Sequence, residues 1–252
     1  MRKIIDKNEV VKLVEEGRSY DEIATILGFT KSSIGRFCRK HFGLLEDRGK
    51  STRQKMDILD VQKEIIFGSL LGDMCLQKHS KTFRGLECHS VKQKEYLVYK
   101  HSLLKPLVGI IRDETTIIND KSYLKNSFSI RPNINLEYFY NVFYKDFNGK
   151  KDVPFNLDLL TPRAIAFWFM DDGFLIDNGH SETLGFSTCS FSLEGLLRLQ
   201  EKLDKDYNIK TIIRKNFYLV VKKDSAIQLS SLIKPYIIKE MQYKLGSYLG
   251  LC

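Results

Sequence analysis

Apolar residues concentrate in two blocks of this chain, and each block runs into aspartates. The first block, VQKEIIFGSLLGDMCL (Val61–Leu76), contains Asp73; the second, AIAFWFMDDGFL (Ala164–Leu175), contains Asp171 and Asp172. Apolar side chains cover nearly every side of each block at helical spacing, which predicts buried helices. Because an unpaired buried carboxylate is costly, we expect a cation or hydrogen-bond donors beside these acids.

The pattern after each block is the same, which indicates an internal duplication. Asp73 and Asp172 lie 99 residues apart (172 − 73), and Cys88 and Cys189 lie 101 apart (189 − 88), so the cysteines are aligned as equivalent. Each half follows the order helix, two strands, helix, two strands, helix. The predicted elements include helices over 92–106, 136–146, 192–207 and 226–233 and strands over 108–118 and 123–131. The sequence therefore predicts an α+β fold of duplicated αββαββα units, residues 58–150 and 151–252, related by a pseudo-two-fold axis.

In such a pseudo-dimer the two apolar helices are expected to pack against each other between the halves. Small residues that allow close approach are Gly68, Ser69 and Gly72 in the first block and Ala164 and Ala166 in the second. Parallel packing would bring both C-terminal ends together, where free carbonyls and the helix macrodipoles add negative charge to the aspartates. This concentration of oxygen ligands favours a hard divalent cation such as Mg²⁺.

The first fifty residues predict a separate three-helix module. Apolar residues recur at helical spacing from Lys7 to Glu16, after Ser19 and after Thr30, and Gly28 lies at the second turn. The third helix presents a basic and hydroxylated face without acids: Lys31, Ser32, Ser33, Arg36, Arg39 and Lys40. Residues 1–43 thus resemble a helix-turn-helix DNA-binding domain, with an ordinary three-helix bundle and a solvated charged face as the alternative. A polar linker, residues 44–57, follows, and its basic residues could lie along DNA: Arg48, Lys50 and Arg53.

Charge and composition limit the classes of molecule that the protein is expected to bind. The net charge is +9, and residues 1–55 hold 13 Lys/Arg and 8 Asp/Glu, a net of +5 (13 − 8), which favours a polyanion such as nucleic acid. No apolar run is long enough to span a bilayer, so we expect no membrane partner. The five scattered cysteines form no CxxC pair, and the N-terminus lacks the features of a secretory or transit signal. We therefore expect an unsecreted protein in a reducing compartment, the cytoplasm or an organelle that encodes it.

The segments GSLLGDM and AFWFMDDG resemble the two motif copies of the LAGLIDADG homing endonucleases, in their single-chain, two-motif form. The resemblance covers about residues 58–250 and includes LTPRAIAFWFMDDG and LIKPYIIKEMQYKLG. The sequence departs from the family motif at Met74, where the family has Gly, and at Phe167, where it has a small residue. Both departures concern helix packing, and the acidic positions match.

The resemblance implies a Mg²⁺-dependent endonuclease, with Mn²⁺ able to substitute, that acts as a monomer on a long, asymmetric double-stranded DNA site. Family members hydrolyse both strands across the minor groove, leave short 3′ overhangs and so initiate mobility of their gene or intron. Asp73 and Asp172 match the metal-binding motif position, and Gly72 and Asp171 match the preceding position, which contributes a backbone carbonyl. Lys151 and Lys244 match lysines that order water or neutralise phosphate, so the predicted catalytic residues are Asp73, Asp172, Lys151 and Lys244.

The family binds DNA through the sheets of both halves, which form a saddle over the major groove. The basic residues of the predicted strands are candidate DNA contacts: Arg84, Lys121, Lys125 and Arg131 in the first half, and Lys210, Arg214, Lys215 and Lys222 in the second. Four histidines share no spacing, which favours solvated or hydrogen-bonded roles over metal ligation: His79, His89, His101 and His180. Two alternatives stay open on the same fold, an intron maturase that binds RNA and a non-catalytic DNA-binding regulator. The two aspartates argue against the regulator.

Overall fold

The computed structural model describes residues 5–15, 18, 20–42 and 55–250, and the chain divides into two units, residues 1–52 and 53–252. The first unit contains α1 (Lys7–Glu15), α2 (Tyr20–Leu27) and α3 (Lys31–Phe42). Thr30 caps α3, because its Oγ1 accepts a hydrogen bond from the amide of Ser33 at 3.2 Å. The three helices bury a small common core: Val10, Ile23, Ala24, Ile34 and Cys38. Ser19, after which the second helix was expected, and the linker residues up to 54 lie outside the described residues.

The second unit consists of two successive halves with the same order of elements. The first half contains α4 (Asp60–Leu71), β1 (Cys75–His79), β2 (Thr82–Ser90), α5 (Lys94–Leu103), β3 (Arg112–Ile118), β4 (Lys121–Asn133) and α6 (Glu137–Phe143). The second half contains α7 (Pro162–Asp172), β5 (Gly173–Asp177), β6 (Glu182–Phe186), α8 (Leu193–Tyr207), β7 (Thr211–Ile213), β8 (Leu219–Val221) and α9 (Lys223–Ile233). Each half forms an antiparallel four-stranded sheet, in the orders β1-β2-β4-β3 and β5-β6-β8-β7. The predicted α+β fold of duplicated αββαββα units is confirmed.

The hairpins that follow the two buried helices have the same register. β1 and β2 pair Cys75 with Leu86, and β5 and β6 pair the residues 99 positions later. Cys88 is therefore equivalent to Ser187 rather than to Cys189, and the alignment of the two cysteines is wrong by two residues (189 − 187). The offset of 99 residues also relates the starts of α5 and α8, so it serves to compare the halves from the motif helix through the following helix.

The helices α4 and α7 pack directly against each other at the centre of the second unit. A Cβ atom at Gly68 would lie 2.1 Å from the carbonyl oxygen of Ala164, so the two backbones are in contact there. Arg163 pairs with Glu64 at 2.8 Å near the N-terminal ends of both helices, which shows that the two helices run in the same direction. The large side chain of Phe167 fits where the family has a small residue, because its ring lies away from this contact and stacks on Tyr99 of α5 at 6.2 Å between centroids.

Few element bounds differ from the predicted ones, and the differences have local causes. The strand expected from Val108 begins at Arg112, because Val108 makes only an isolated bridge to Ile130. A chain of 3₁₀ turns, Lys239–Gly250, follows α9 and returns to the end of α7, with a break at Gly246 (φ 55°). None of the helices among the described residues is long and apolar enough to cross a lipid bilayer.

Candidate active site at the paired helix ends

The C-terminal ends of α4 and α7 adjoin at the motif aspartates. The amide of Asp73 donates a hydrogen bond to Oδ2 of Asp171 at 3.4 Å. A Cβ atom at Gly72 would lie 2.4 Å from Cβ of Asp171, so a glycine is required where the carboxylate crosses the neighbouring helix end. Both helix ends carry the negative pole of a macrodipole and free carbonyl groups. Several negative groups therefore meet at one point.

Asp73 and Asp172 offer their carboxylates at this point. Burial, followed by the negative charges of Asp73 and Asp171, raises the pKa of Asp172 to about 7. The side chain of Asp73 is 39% exposed, so it is accessible to a ligand. Within the described part of the chain, no hydrogen bond reaches the carboxylate of Asp172. The two acids repel each other and their charge calls for a cation.

Two lysines contact the same helix ends in equivalent ways. Lys151 donates hydrogen bonds to the carbonyls of Gly72 at 2.7 Å and of Met74 at 3.1 Å. Lys244 donates to the carbonyls of Met170 at 2.6 Å and of Asp171 at 2.9 Å. Burial lowers the pKa of both lysines, and the nearby aspartates oppose this effect without cancelling it. Each of the two motif helices, α4 and α7, therefore ends in the same arrangement, a lysine on the carbonyl that precedes a motif aspartate.

Asp171 differs from Asp172, because its side chain is fully engaged. Oδ1 accepts hydrogen bonds from the hydroxyl of Tyr96 and from Nζ of Lys100, each at 2.7 Å. Oδ2 accepts from Lys100 at 3.0 Å and from the amide of Asp73. Burial raises the pKa of Asp171 to about 6, and Lys100 opposes this, so the carboxylate is ionised at neutral pH. The predicted separation of roles is compatible with this geometry, since the Asp171 carboxylate is occupied and its carbonyl faces Lys244.

A buried ionic network continues from Asp171 into the first half. Lys100 is fully buried and also donates to Oε1 of Glu87 at 2.7 Å. Nε2 of His89 donates to the same oxygen at 2.7 Å, and Nδ1 of His89 lies 3.4 Å from Oδ2 of Asp73. Burial lowers the pKa of His89, but the hydrogen bond to Glu87 and the nearby carboxylates outweigh it, and the net shift is upward. Burial likewise lowers the pKa of Lys100, and Asp171 and Glu87 more than reverse it, so the ammonium stays charged.

The donor set fits a hard divalent cation held by Asp73 and Asp172. Carboxylates and backbone carbonyls are the ligands that Mg²⁺ takes in proteins. Ligand atoms of Asp73, His89 and Asp171 also lie within 4.8 Å of one another. However, the Asp171 carboxylate already accepts four hydrogen bonds and neutralises Lys100, so a metal there would have to displace a buried ammonium.

The predicted DNA contacts of the first half fall into separate groups. Arg84 and Lys125 line one cavity of about 220 Å³ together with Arg112, which sequence reasoning did not single out. Lys125 also pairs with Glu114 at 3.4 Å. Lys121 and Arg131 are exposed on β4, outside this cavity.

The second half has a similar division. Arg214 and Lys215 are exposed in the β7–β8 turn and line a cavity of about 540 Å³ beside Phe174 and Tyr218. Lys210 and Lys222 line another cavity together, and Lys210 pairs with Asp204 at 2.7 Å. In the first unit Lys31, Ser32 and Arg36 are exposed and Ser33 is partly exposed on α3. The remaining predicted contacts have side chains outside the described residues: Arg39, Lys40, Arg48, Lys50 and Arg53.

Sequence reasoning missed four residues of the network: Glu87, His89, Tyr96 and Lys100. A signal for two of them exists in TFRGLECHS, since Glu87 and His89 alternate in phase with Phe83 on the buried face of β2. Polar residues on a buried strand face need partners, which is a sign of a site. For Lys100 the only signal is its spacing of four residues from Tyr96 on α5, which places both side chains on the same face of the helix.

Comparison with known proteins assigns the class that this fold and site define. Residues 63–228 match the model of the LAGLIDADG DNA endonuclease family, which is more than half of the chain, so the chain belongs to that family. It is 34% identical over 214 residues to DNA endonuclease I-ChuI of Chlamydomonas applanata, covering 76% of this chain and 97% of the relative. It is also 33% identical over 230 residues to cytochrome b mRNA maturase bI2 of Debaryomyces hansenii, covering 82% and 84%.

Among solved structures, the homing endonuclease I-WcaI bound to its DNA recognition sequence has the same fold. The match has a TM-score of 0.69 and covers 81% of this chain and 96% of that chain at 23% identity.

Proposed function

We propose that this protein is a site-specific DNA endonuclease that acts as a monomer and cuts both strands of a long, asymmetric duplex target. In this proposal it uses Mg²⁺, with Mn²⁺ able to substitute, cuts across the minor groove to leave short 3′ overhangs, and so initiates mobility of its own gene or intron. Family membership and the identity to a relative named as a DNA endonuclease support DNA cleavage. The donor set at the paired helix ends supports the divalent cation.

The chain's own residues have distinct roles in this proposal. Asp73 and Asp172 would hold the cation through their carboxylates, with the carbonyls of Gly72 and Asp171 beside them. Mg²⁺, when bound, supplies charge neutralisation at the scissile phosphate and increases the acidity of the attacking water. Lys151 and Lys244 have pKa values lowered by burial, so each can exchange a proton more readily than an exposed lysine.

One observation carries the proposal: the same lysine, carbonyl and aspartate arrangement occurs at both helix ends. Cutting a duplex needs two phosphodiester hydrolyses, and two equivalent arrangements in one chain supply one for each strand. A non-catalytic regulator would have no need for a duplicated set of ionisable groups at one point.

The test begins with selection of a cleavage site from a randomised duplex library, followed by single-turnover cleavage with Mg²⁺. We expect Asp73→Asn and Asp172→Asn to abolish double-strand cleavage and to leave specific binding, measured without Mg²⁺, largely unchanged. The exposed Asp146, replaced in the same way, is the matched control and should cut like the wild type. Cleavage by both motif variants at the wild-type rate would exclude this site.

An RNA-splicing role is the second candidate, because the relative from Debaryomyces hansenii is named as an mRNA maturase. One variant distinguishes DNA cleavage from the splicing role. Asp172→Asn should cut no DNA, and if it still promotes splicing of the intron that carries the gene, the chain also has a maturase role that does not need the metal site. Absence of RNA binding by the wild-type protein would remove this candidate.

A further inference from the structure

Within the described residues, the buried ionic network lies on one side of the helix pair and has no counterpart on the other. Its four ionisable members are Glu87, His89, Lys100 and Asp171. The register offset of 99 residues places uncharged, buried residues at the matching positions of the other half: Phe186, Thr188, Leu199 and Gly72. The two helix ends therefore share their lysine and aspartate arrangement but differ in what surrounds it.

Two contacts connect the network to Asp73. Oδ2 of Asp171 accepts the Asp73 amide, and Nδ1 of His89 lies 3.4 Å from the Asp73 carboxylate. The counterpart of His89, Thr188, instead donates to the carbonyl of Phe217 and accepts the amide of Leu219 at 3.1 Å, so it is committed to the sheet. The network thus contacts both the main chain and the side chain of Asp73. Asp172 is held differently: it is the last residue of α7, its carbonyl accepts a hydrogen bond from the amide of Ser187 at 2.9 Å, and no hydrogen bond within the described residues reaches its carboxylate.

The charged groups of the network are paired through short contacts, although Oε2 of Glu87 is buried without a hydrogen-bond partner among the described residues. Lys100 is completely buried, contacts two carboxylates at 2.7 Å and lies 4.7 Å from the centre of the Tyr96 ring. Tyr96 in turn donates to Asp171 and also contacts the backbone carbonyl of Phe167 at 3.3 Å. Buried groups with this many partners have one favourable arrangement, which fixes the groups attached to them.

We propose that this network is a positioning device for Asp73 that makes the two half-sites unequal. Lys100 and Tyr96 hold the Asp171 carboxylate against the main chain of Asp73, while Glu87 holds His89 against the Asp73 side chain. The inference rests on the proposed endonuclease function. It follows that cleavage of the strand whose phosphate lies beside Asp73 depends on the network, whereas cleavage of the other strand does not.

The main variant is Tyr96→Phe, which keeps the ring and removes only the hydroxyl that donates to Asp171. Tyr207→Phe is the matched control, because its hydroxyl also makes a 2.7 Å hydrogen bond, to the carbonyl of Leu160, remote from the network. A stronger variant is the double substitution Glu87→Gln with Lys100→Met, which removes one negative and one positive charge and leaves the net charge unchanged.

The first measurement resolves the two strands of the selected target in single-turnover cleavage, with each strand labelled separately. Loss of a group that orients a metal ligand typically costs about 10–100-fold. We expect Tyr96→Phe to slow one strand by about tenfold and the other by no more than about twofold, so that nicked duplex accumulates. The control should cut both strands like the wild type, and equal slowing of both strands, or slowing of neither, would overturn the inference.

The second measurement does not require cleavage. In protein labelled with ¹⁵N-aspartate, we expect Tyr96→Phe to shift the amide resonance of Asp73, with no change in Tyr207→Phe. An unmoved Asp73 resonance would overturn the network even if its variants cut poorly. If Tyr96→Phe shifts the Asp73 resonance but the wild-type protein cuts no DNA, the network stands and the proposed function is refuted.

Discussion

Replacing Asp172 by Asn is expected to stabilise the metal-free protein, although it removes a proposed catalytic group. Folding raises the pKa of this carboxyl from 3.8 to about 7, chiefly by burial. The folded state therefore binds the proton more tightly than the unfolded state, and stability falls as pH rises from about 4 to about 7. A rise of about 3 pK units corresponds to about 4 kcal/mol at the upper limit. Since the side chain keeps some contact with solvent, we expect a gain of about 1–2 kcal/mol at pH 8.

Thermal unfolding in the presence of a chelator tests this expectation. The gain corresponds to an increase in Tm of about 2–8 °C at pH 8 for a unit of this size. At pH 5 the increase should be less than half as large, because the wild-type carboxyl is then protonated in the fold. Added Mg²⁺ should reduce the difference by stabilising the wild type alone. The reasoning is refuted if the variant melts at or below the wild-type Tm at pH 8, if the increase is independent of pH, or if Asp146→Asn gives the same increase.

Three further outcomes are expected. Gly68→Ala should lower the free energy of unfolding, measured in urea, by about 3 kcal/mol, because the added Cβ would lie 2.1 Å from a backbone oxygen. The control Gly35→Ala has open space around the added Cβ and should cost nothing. Equal effects of the two substitutions would contradict the close contact between the helices. Lys151→Met should slow single-turnover cleavage by at least about 100-fold with unchanged target affinity, and an unchanged rate would exclude a proton or water-ordering role. Lys31→Gln combined with Arg36→Gln should reduce the slope of log affinity against log salt by about 1.8, and an unchanged slope would show that α3 does not contact DNA phosphates.

The fold could be predicted from sequence because its strongest signals are local and repeated. Two apolar helices followed by the same sequence of elements define a duplicated unit without any knowledge of contacts. The predicted strand ends were less accurate. The run VGIIRDETTII contains β-forming residues on both sides of Arg112, where β3 begins, and Val108 makes only an isolated bridge. The equivalence of the cysteines failed for a similar reason: identical residues near a strand end say less about register than the hairpin pairing does.

The site was only partly predictable. Asp73, Asp172 and the two lysines belong to a motif that occurs twice, and the structure brings all four to the helix ends. In the part of the chain that the structure describes, the network behind Asp73 occurs once, so no repeat marks it. Lys100 in particular lies in KEYLVYKHSL, where a lysine is normally solvated, and its burial depends on an aspartate 71 residues away. Such a pairing can be recognised only when both halves are in place.

The crossing of Asp171 into the first half makes the two halves mutually dependent. A symmetric dimer built from two first halves would bring Gly72 to both sides and leave two copies of Lys100 and Glu87 short of their third charge. A dimer of two second halves would place two Asp171 carboxylates in a buried interface that offers Leu199 instead of a lysine. Neither half can therefore replace the other. Recombining halves from different relatives would require that the residue at 171 be transferred to match the charges at 87 and 100.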